Sequence, residues 1–336
     1  MRNNLFFRAL KGFVILMRAS FMAAGIAGGT LLAGIGASAA AASVLFNRVI
    51  PRQDKLRVDM SEMADMDTWE EYKKIIHANK DWLLQQDIEH ITIKSRDGLT
   101  LHGDYIRSPE PVGKLLIAFH GYTGKGMSDC ASIAAYFLKH GYDAVVVDER
   151  AHGMSSGDYA GFGILDRFDC LEWIKYANER FDMKKDIVLY GVSMGGATVL
   201  MASGLDEIPS SVKGVIADCA FTSPYDVFAH ILKRDYKLPP FPIMNITDEL
   251  CRRRAGYGFS DYSTLTAMKK TKIPTLFIHG REDNFVPLWM SKKNYEVCGA
   301  PKNLFIVDNA GHGASYYENP KLYENKVTQF LEKNAE

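Results

Sequence analysis

The hydrophobic pattern divides the chain into stretches of different period. Four largely apolar runs stand out in its middle: Leu115 to Phe119, Ala144 to Val147, Ile187 to Tyr190 and Val212 to Ala217. A strand with one wet face alternates polar and apolar residues, so runs this continuous predict strands buried on both faces of a parallel sheet. Between them, Ser128 to His140, Leu165 to Phe181 and Met194 to Leu205 have helical length and period. Thr275 to His279 and Leu304 to Val307 continue the strands, with helices expected near Leu288 to Cys298 and Pro320 to Lys333. Strand and helix in alternation predict an α/β fold, a doubly wound, mainly parallel sheet with helices on both faces. Upstream, Ile88 to Lys94 and Leu99 to Ile106 alternate around Asp97 and Gly98, which predicts a β-hairpin. Residues 61–85 read as a helix leading into it, with Trp69, Tyr72, Ile75, Ile76 and Leu83 at intervals near three and four.

Two regions break the rhythm. Between Ser223 and Lys272 some fifty residues, rich in proline and carrying Arg252 to Arg254, separate two strands. A crossover needs far fewer, so a small, partly helical lid insertion is expected at about 224–265, over the carboxyl ends of the strands. The alternative is an enlarged crossover that touches no ligand. At the other end, Ala19 to Asn47 is uncharged, is preceded by Arg2, Arg8, Lys11 and Arg18, and is closed by Arg48. It is long enough to cross a bilayer, which predicts an uncleaved single-span membrane anchor. A signal peptide cut near Ala37, Ser38 and Ala39, giving a secreted protein, is the alternative. An apolar helix lying on the protein's own surface is the third reading. The expected organisation is therefore an N-terminal segment 1–50, a helical lead-in 51–87 and an α/β domain 88–336 that contains the insertion.

Composition narrows the functional classes. Lysine plus arginine and aspartate plus glutamate both number 40 in 336 residues, so charge gives no reason to expect a nucleic acid or acidic polymer as partner. The five cysteines form no C-x-x-C pair, which removes zinc ribbons and thioredoxin-type sites and leaves buried thiols as the simplest reading.

Two segments match G-x-S-x-G. Gly191 to Gly195 directly follows a predicted strand and directly precedes a predicted helix, a context that holds Ser193 in a sharp turn with its oxygen exposed. Gly153 to Gly157, around Ser155, sits several residues beyond the strand ending at Asp148 and reads as loop. A serine hydroxyl needs an imidazole to take its proton and a carboxylate to orient the imidazole. Of nine histidines, His230, His279 and His312 follow Ser193. His230 lies in the expected lid and His279 at a strand end, whereas His312 lies in a glycine-flanked loop after the last strand. Asp283 and Asp218 are the candidate acids at strand ends, with Glu282 a weaker neighbour.

These segments resemble the α/β-hydrolase superfamily. Asp148 to Ser155 resembles its D-x-R-(G/A)-H-G-x-S loop, Gly280 to Pro287 its segment around the acid, and His120 to Gly124 its H-G-x-x-G turn. The resemblance runs from about Ile88 to the C-terminus. It implies a triad of Ser193, Asp283 and His312, with Asp218 the minor alternative for the acid, and an oxyanion hole formed by the amides of Tyr122 and Met194. It gives Ser155 a structural role. A phosphate-binding loop at Gly121 to Gly126 fails, because Lys125 is followed by Gly126 rather than serine or threonine.

Within the superfamily the pattern is similar to monoglyceride-lipase-like esterases, aminopeptidases and bacterial membrane-anchored hydrolases. The resemblance implies hydrolysis through an acyl-enzyme on Ser193, with no metal or organic cofactor. A small or lipidic ester or thioester is the leading substrate class, motivated by Phe228, Ile231, Leu232, Phe241 and Ile243 in the expected lid. A serine peptidase with the same triad is the main alternative, and a non-catalytic ligand-binding protein on the same scaffold is the third.

Overall fold

The computed structural model describes residues 29–53 and 66–334 of the chain. It separates into two compact units, one built from Arg52–Pro224 and Ser260–Glu336, the other from the N-terminal residues as far as Pro51 and from Tyr225–Phe259.

The larger unit opens with α2 (Met66–Leu83; α1, Gly29–Val49, belongs to the second unit), followed by the hairpin β1 (Ile88–Lys94) and β2 (Thr100–Ile106). Next come β3 (Lys114–Phe119), the short α3 (Gly126–Asp129), α4 (Ala131–Lys139), β4 (Tyr142–Val147), α5 (Asp166–Arg180), β5 (Asp186–Val192), α6 (Met194–Ser203) and β6 (Val212–Asp218). After the insertion the chain returns as α9 (Thr264–Met268), β7 (Thr275–Gly280), α10 (Trp289–Val297), β8 (Lys302–Val307), α11 (Ser315–Glu318) and α12 (Pro320–Lys333).

The strands form one eight-stranded sheet in the order β1-β2-β4-β3-β5-β6-β7-β8. β1 and β2 are antiparallel, β2 pairs antiparallel with β4, and β3 to β8 are mutually parallel where they pair. The doubly wound sheet expected from the continuous apolar runs is present, and its pleat explains the runs. Leu115, Ile117 and Phe119 of β3 join one core with Trp173, Ile174 and Val199 from α5 and α6. Leu116 and Ala118 of the same strand join the opposite core with Phe137, Val327 and Phe330 from α4 and α12. Each fully buried Leu or Ile contributes about 1.5–3 kcal/mol, so a strand used on both faces tolerates almost no polar position. The lead-in helix α2 sends Tyr72 and Leu83 into that second core. α12 starts cleanly because Pro320 opens it and the Asn319 side chain caps the Leu322 amide at 3.1 Å.

The second unit contains α1 (Gly29–Val49), α7 (Pro224–Tyr236, beginning at the unit boundary) and α8 (Ile243–Ala255). α1 packs against α8, and the Arg254 guanidinium lies 5.3 Å from the centre of the Phe46 ring. Ala42, Phe46 and Ile50 are buried. The three arginines at the end of α8 complement the negative end of the helix dipole, and Gly256 terminates it at φ 80°. Phe228, Leu232 and Ile243 are buried, Phe228 packing on Phe259 with ring centres 5.2 Å apart, while Phe241 is exposed. The insertion and the N-terminal helix, which the sequence treats as separate appendages, thus share one unit.

Among the described residues no helix is long and apolar enough to cross a membrane. The first part of the expected span, residues 19–28, lies outside the described residues; the rest continues into α1.

Candidate active site

β5 ends at Val192 and α6 begins at Met194, so Ser193 alone turns the chain from strand to helix. Its backbone sits at φ 55° and ψ −111°, a region that costs a side-chain-bearing residue about 1–3 kcal/mol. Two backbone hydrogen bonds hold the turn: the Ser193 amide donates to the Asp218 carbonyl at 2.8 Å, and the Gly195 amide to the His120 carbonyl at 3.0 Å. The flanking glycines are required by close approach. A Cβ on Gly191 would sit 2.1 Å from the Gly195 carbonyl oxygen, and one on Gly195 would sit 2.3 Å from that of Phe119.

The loop after β8 brings His312 to this turn. Its Nε2 lies 2.9 Å from Ser193 Oγ, and its Nδ1 lies 2.7 Å from Asp283 Oδ2. A carboxylate oxygen can only accept, so Nδ1 carries the proton and the Nε2 lone pair faces the serine hydroxyl. Asp283, in the loop after β7, is fixed through its other oxygen, which accepts the Phe285 and Val286 amides at 2.9 Å each. His279 Nε2 stands 3.3 Å from Oδ2. Burial pushes the Asp283 carboxyl up, but the charge of His312 and hydrogen bonds from His279 and His312 outweigh it and hold the group well below the usual carboxylate range. All three side chains are buried, with Ser193 and His312 each 9% exposed and Asp283 4%.

The other candidates lie elsewhere. Asp218 receives the Ser315 hydroxyl on one oxygen and the Tyr323 hydroxyl on the other, both at 3.0 Å. Glu282 is exposed, and His230 belongs to the second unit. Ser155 is locked in its loop: its hydroxyl donates to the Asp148 carbonyl at 2.5 Å and accepts the His102 amide at 2.8 Å. The same loop is pinned by Arg150, which forks onto buried Asp169 and reaches Asp97 at 2.9 Å.

Met194 is the first residue of α6, so its amide is among the four that a helix leaves without an intrahelical acceptor. Gly121 approaches the nucleophile turn, a Cβ there falling 3.6 Å from Ser193 Cβ, which sets the Tyr122 loop beside the serine. The loop is stiffened on both sides of Tyr122. Gly121 N donates to Asp129 Oδ2 at 3.3 Å, and Thr123 N to His152 Nε2 at 3.2 Å. Burial, reinforced by neighbouring His120, lowers the His152 imidazole to about 3. It is therefore neutral at ordinary pH, as accepting from an amide requires. His120 in turn accepts the Glu149 amide at 2.9 Å, tying this loop to the one that holds Ser155.

Sequence reasoning did not identify His279, Asp129 or His152 as positioning groups. Their partners are backbone amides and a carboxylate brought near only by the fold, and the offset of His279 from Asp283, one strand end to the next loop, was the single available signal. The five cysteines are buried thiols. Cys219 lies against Asp283 and His312, and burial pushes its thiol well above the usual value, so it stays protonated.

The model of the prolyl oligopeptidase family, a peptidase S9 family, matches residues 132–336, the stretch that carries Ser193, Asp283 and His312. The chain belongs to the prolyl oligopeptidase family. The chain is similar to Bacillus subtilis YqkD, 28% identical over 248 residues, 74% of this chain and 80% of YqkD. The Pyrococcus furiosus esterase Pf2001 shares the fold with a TM-score of 0.62 at 23% identity, over 74% of this chain and 92% of that one. The Pyrococcus horikoshii acylaminoacyl peptidase does so with a TM-score of 0.56 at 22% identity, over 74% of this chain and 42% of that longer one. The resemblance read from the sequence motifs holds: the protein is a serine hydrolase of the α/β-hydrolase superfamily.

Proposed function

We propose that the protein hydrolyses a small or lipidic ester or thioester through an acyl-enzyme on Ser193. The observation that supports an acyl-enzyme on Ser193 is the continuous chain of hydrogen bonds, 2.9 Å from Ser193 Oγ to His312 Nε2 and 2.7 Å from His312 Nδ1 to Asp283. Ser193 Oγ attacks the carbonyl carbon as its proton passes to His312 Nε2, and Asp283 stabilises the imidazolium. The amides of Tyr122 and Met194 receive the oxyanion, each such donor being worth about 3 kcal/mol in the transition state. His312 then protonates the leaving alcohol or thiol, and a water activated by the same imidazole releases the acid. No metal or organic cofactor enters these steps.

A peptidase with the same triad is the second reading, favoured by the family match over residues 132–336. Turnover of p-nitrophenyl esters of several acyl lengths, set beside N-acyl-aminoacyl and prolyl anilides, separates the two. Ser193-dependent ester cleavage with poor anilide cleavage supports the first reading; faster anilide cleavage overturns it. Attachment to a membrane through residues 19–47 is part of the proposal and is supported by their uncharged composition. Carbonate washing of membranes carrying the full chain tests it, and release of the protein to the supernatant would refute it.

A further inference from the structure

The outer hairpin of the sheet carries a cluster that the hydrolytic reaction does not use. In the β1–β2 pairing His90 stands opposite Asp104 and Thr92 opposite His102, so both histidines and the aspartate share one face of the ribbon. The opposite face, with Ile91, Leu101 and Tyr105, enters the core. His90 Nδ1 lies 2.7 Å from Asp104 Oδ1, and His102 Nε2 lies 3.8 Å from the same oxygen. One ligand atom from each of the three residues falls within 4.8 Å of the others.

The residue that points to a ligand is His102. It is 8% exposed, yet its Nε2 has no hydrogen-bond partner among the described residues. Buried imidazole nitrogens are normally paired, so an orphan aimed at a carboxylate and a second imidazole marks a place left for another atom. The far side of the ring is equally suggestive, since Nδ1 faces Asp148 Oδ2 at 3.6 Å. Metal-binding histidines commonly have a carboxylate on the far side of the ring in this way.

We propose that His90, His102 and Asp104 bind a divalent ion of the zinc class, with water completing the coordination on the solvent side. Two imidazoles and a carboxylate suit Zn²⁺ better than Mg²⁺ or Ca²⁺, which take oxygen ligands, or Cu(I), which prefers sulfur. An ion there would be coupled to the active-site loops through Asp148, whose oxygens accept the Gly126 amide at 3.0 Å and the Met154 amide at 2.8 Å. The inference is independent of the substrate proposed above.

The test is calorimetric titration of Zn²⁺ into the full chain after chelator treatment, with His90→Ala and Asp104→Asn alongside. His90 is largely exposed on the hairpin, so its replacement leaves the fold intact, which far-ultraviolet circular dichroism checks. The expected result is one equivalent of Zn²⁺ per chain, with Kd raised at least about tenfold in each variant. Cobalt substitution should give a visible spectrum without a thiolate charge-transfer band. Absence of binding in the wild type, or binding unchanged in both variants, overturns the proposal. So does a thiolate band lost in Cys219→Ala, which would put the ion beside Asp283 and His312 instead.

Discussion

Ser193 and Ser155 occupy the same five-residue pattern, G-x-S-x-G, and the fold treats them in opposite ways. At Ser193 the backbone is forced to φ 55° between a strand and a helix, and the hydroxyl meets an imidazole. At Ser155 the hydroxyl is spent on the Asp148 carbonyl and the His102 amide. The first serine is held in strain by hydrogen bonds from its surroundings, whereas the second is itself the group doing the holding. A short pattern therefore names a chemistry only when the elements on either side of it supply the geometry.

The largest effect that separates the two sites is on turnover. Ser193→Ala should lower kcat by about 10⁶-fold and abolish labelling by a fluorophosphonate probe, while Ser155→Ala should keep the label. Labelling lost only in Ser155→Ala would reverse the assignment. Asp283→Asn should lower kcat by about 10⁴-fold, because the imidazole loses the partner that fixes its tautomer. Asp218→Asn, whose side chain bonds Ser315 and Tyr323, should cost far less in steady-state assays, and equal losses in the two variants would contradict the triad.

A smaller, stability-based contrast follows for Ser155→Ala. It leaves the buried His102 amide without its acceptor and should destabilise the protein by about 1–3 kcal/mol in urea unfolding. The smallest effect is in the pH dependence. Asp283 is held below its unfolded value, so its stabilising contribution is full above about pH 4 and is lost as the pH falls through the folded value. Asp283→Asn should accordingly flatten the acid limb of an unfolding-versus-pH curve, and an unaltered limb would count against that linkage.

The sheet was legible because burial on both faces writes itself into composition. Ile187 to Tyr190 and Thr275 to His279 could be recognised without knowing their neighbours. The hairpin was equally clear, since alternation around Asp97 and Gly98 sets its register at Lys94 opposite Thr100. The helix expected as one piece from Ser128 to His140 is broken at Cys130 into α3 and α4, a break that leaves no periodic trace. Sharing of a unit between α1 and the insertion was invisible for the same reason, as the two stretches are some two hundred residues apart.

By itself the sequence determined the strand and helix order, the position of Ser193 in a strand-to-helix turn and the loops that carry Asp283 and His312. These are local properties, set by side-chain period and by the steric demands of glycine at Gly191 and Gly195. Tertiary structure alone decided which oxygen of Asp283 meets His312, that Asp218 is occupied by Ser315 and Tyr323, and that His90, His102 and Asp104 converge on one face. Hydrogen bonds form over about 3 Å and depend on angle, so they are fixed only when distant segments are packed to that tolerance.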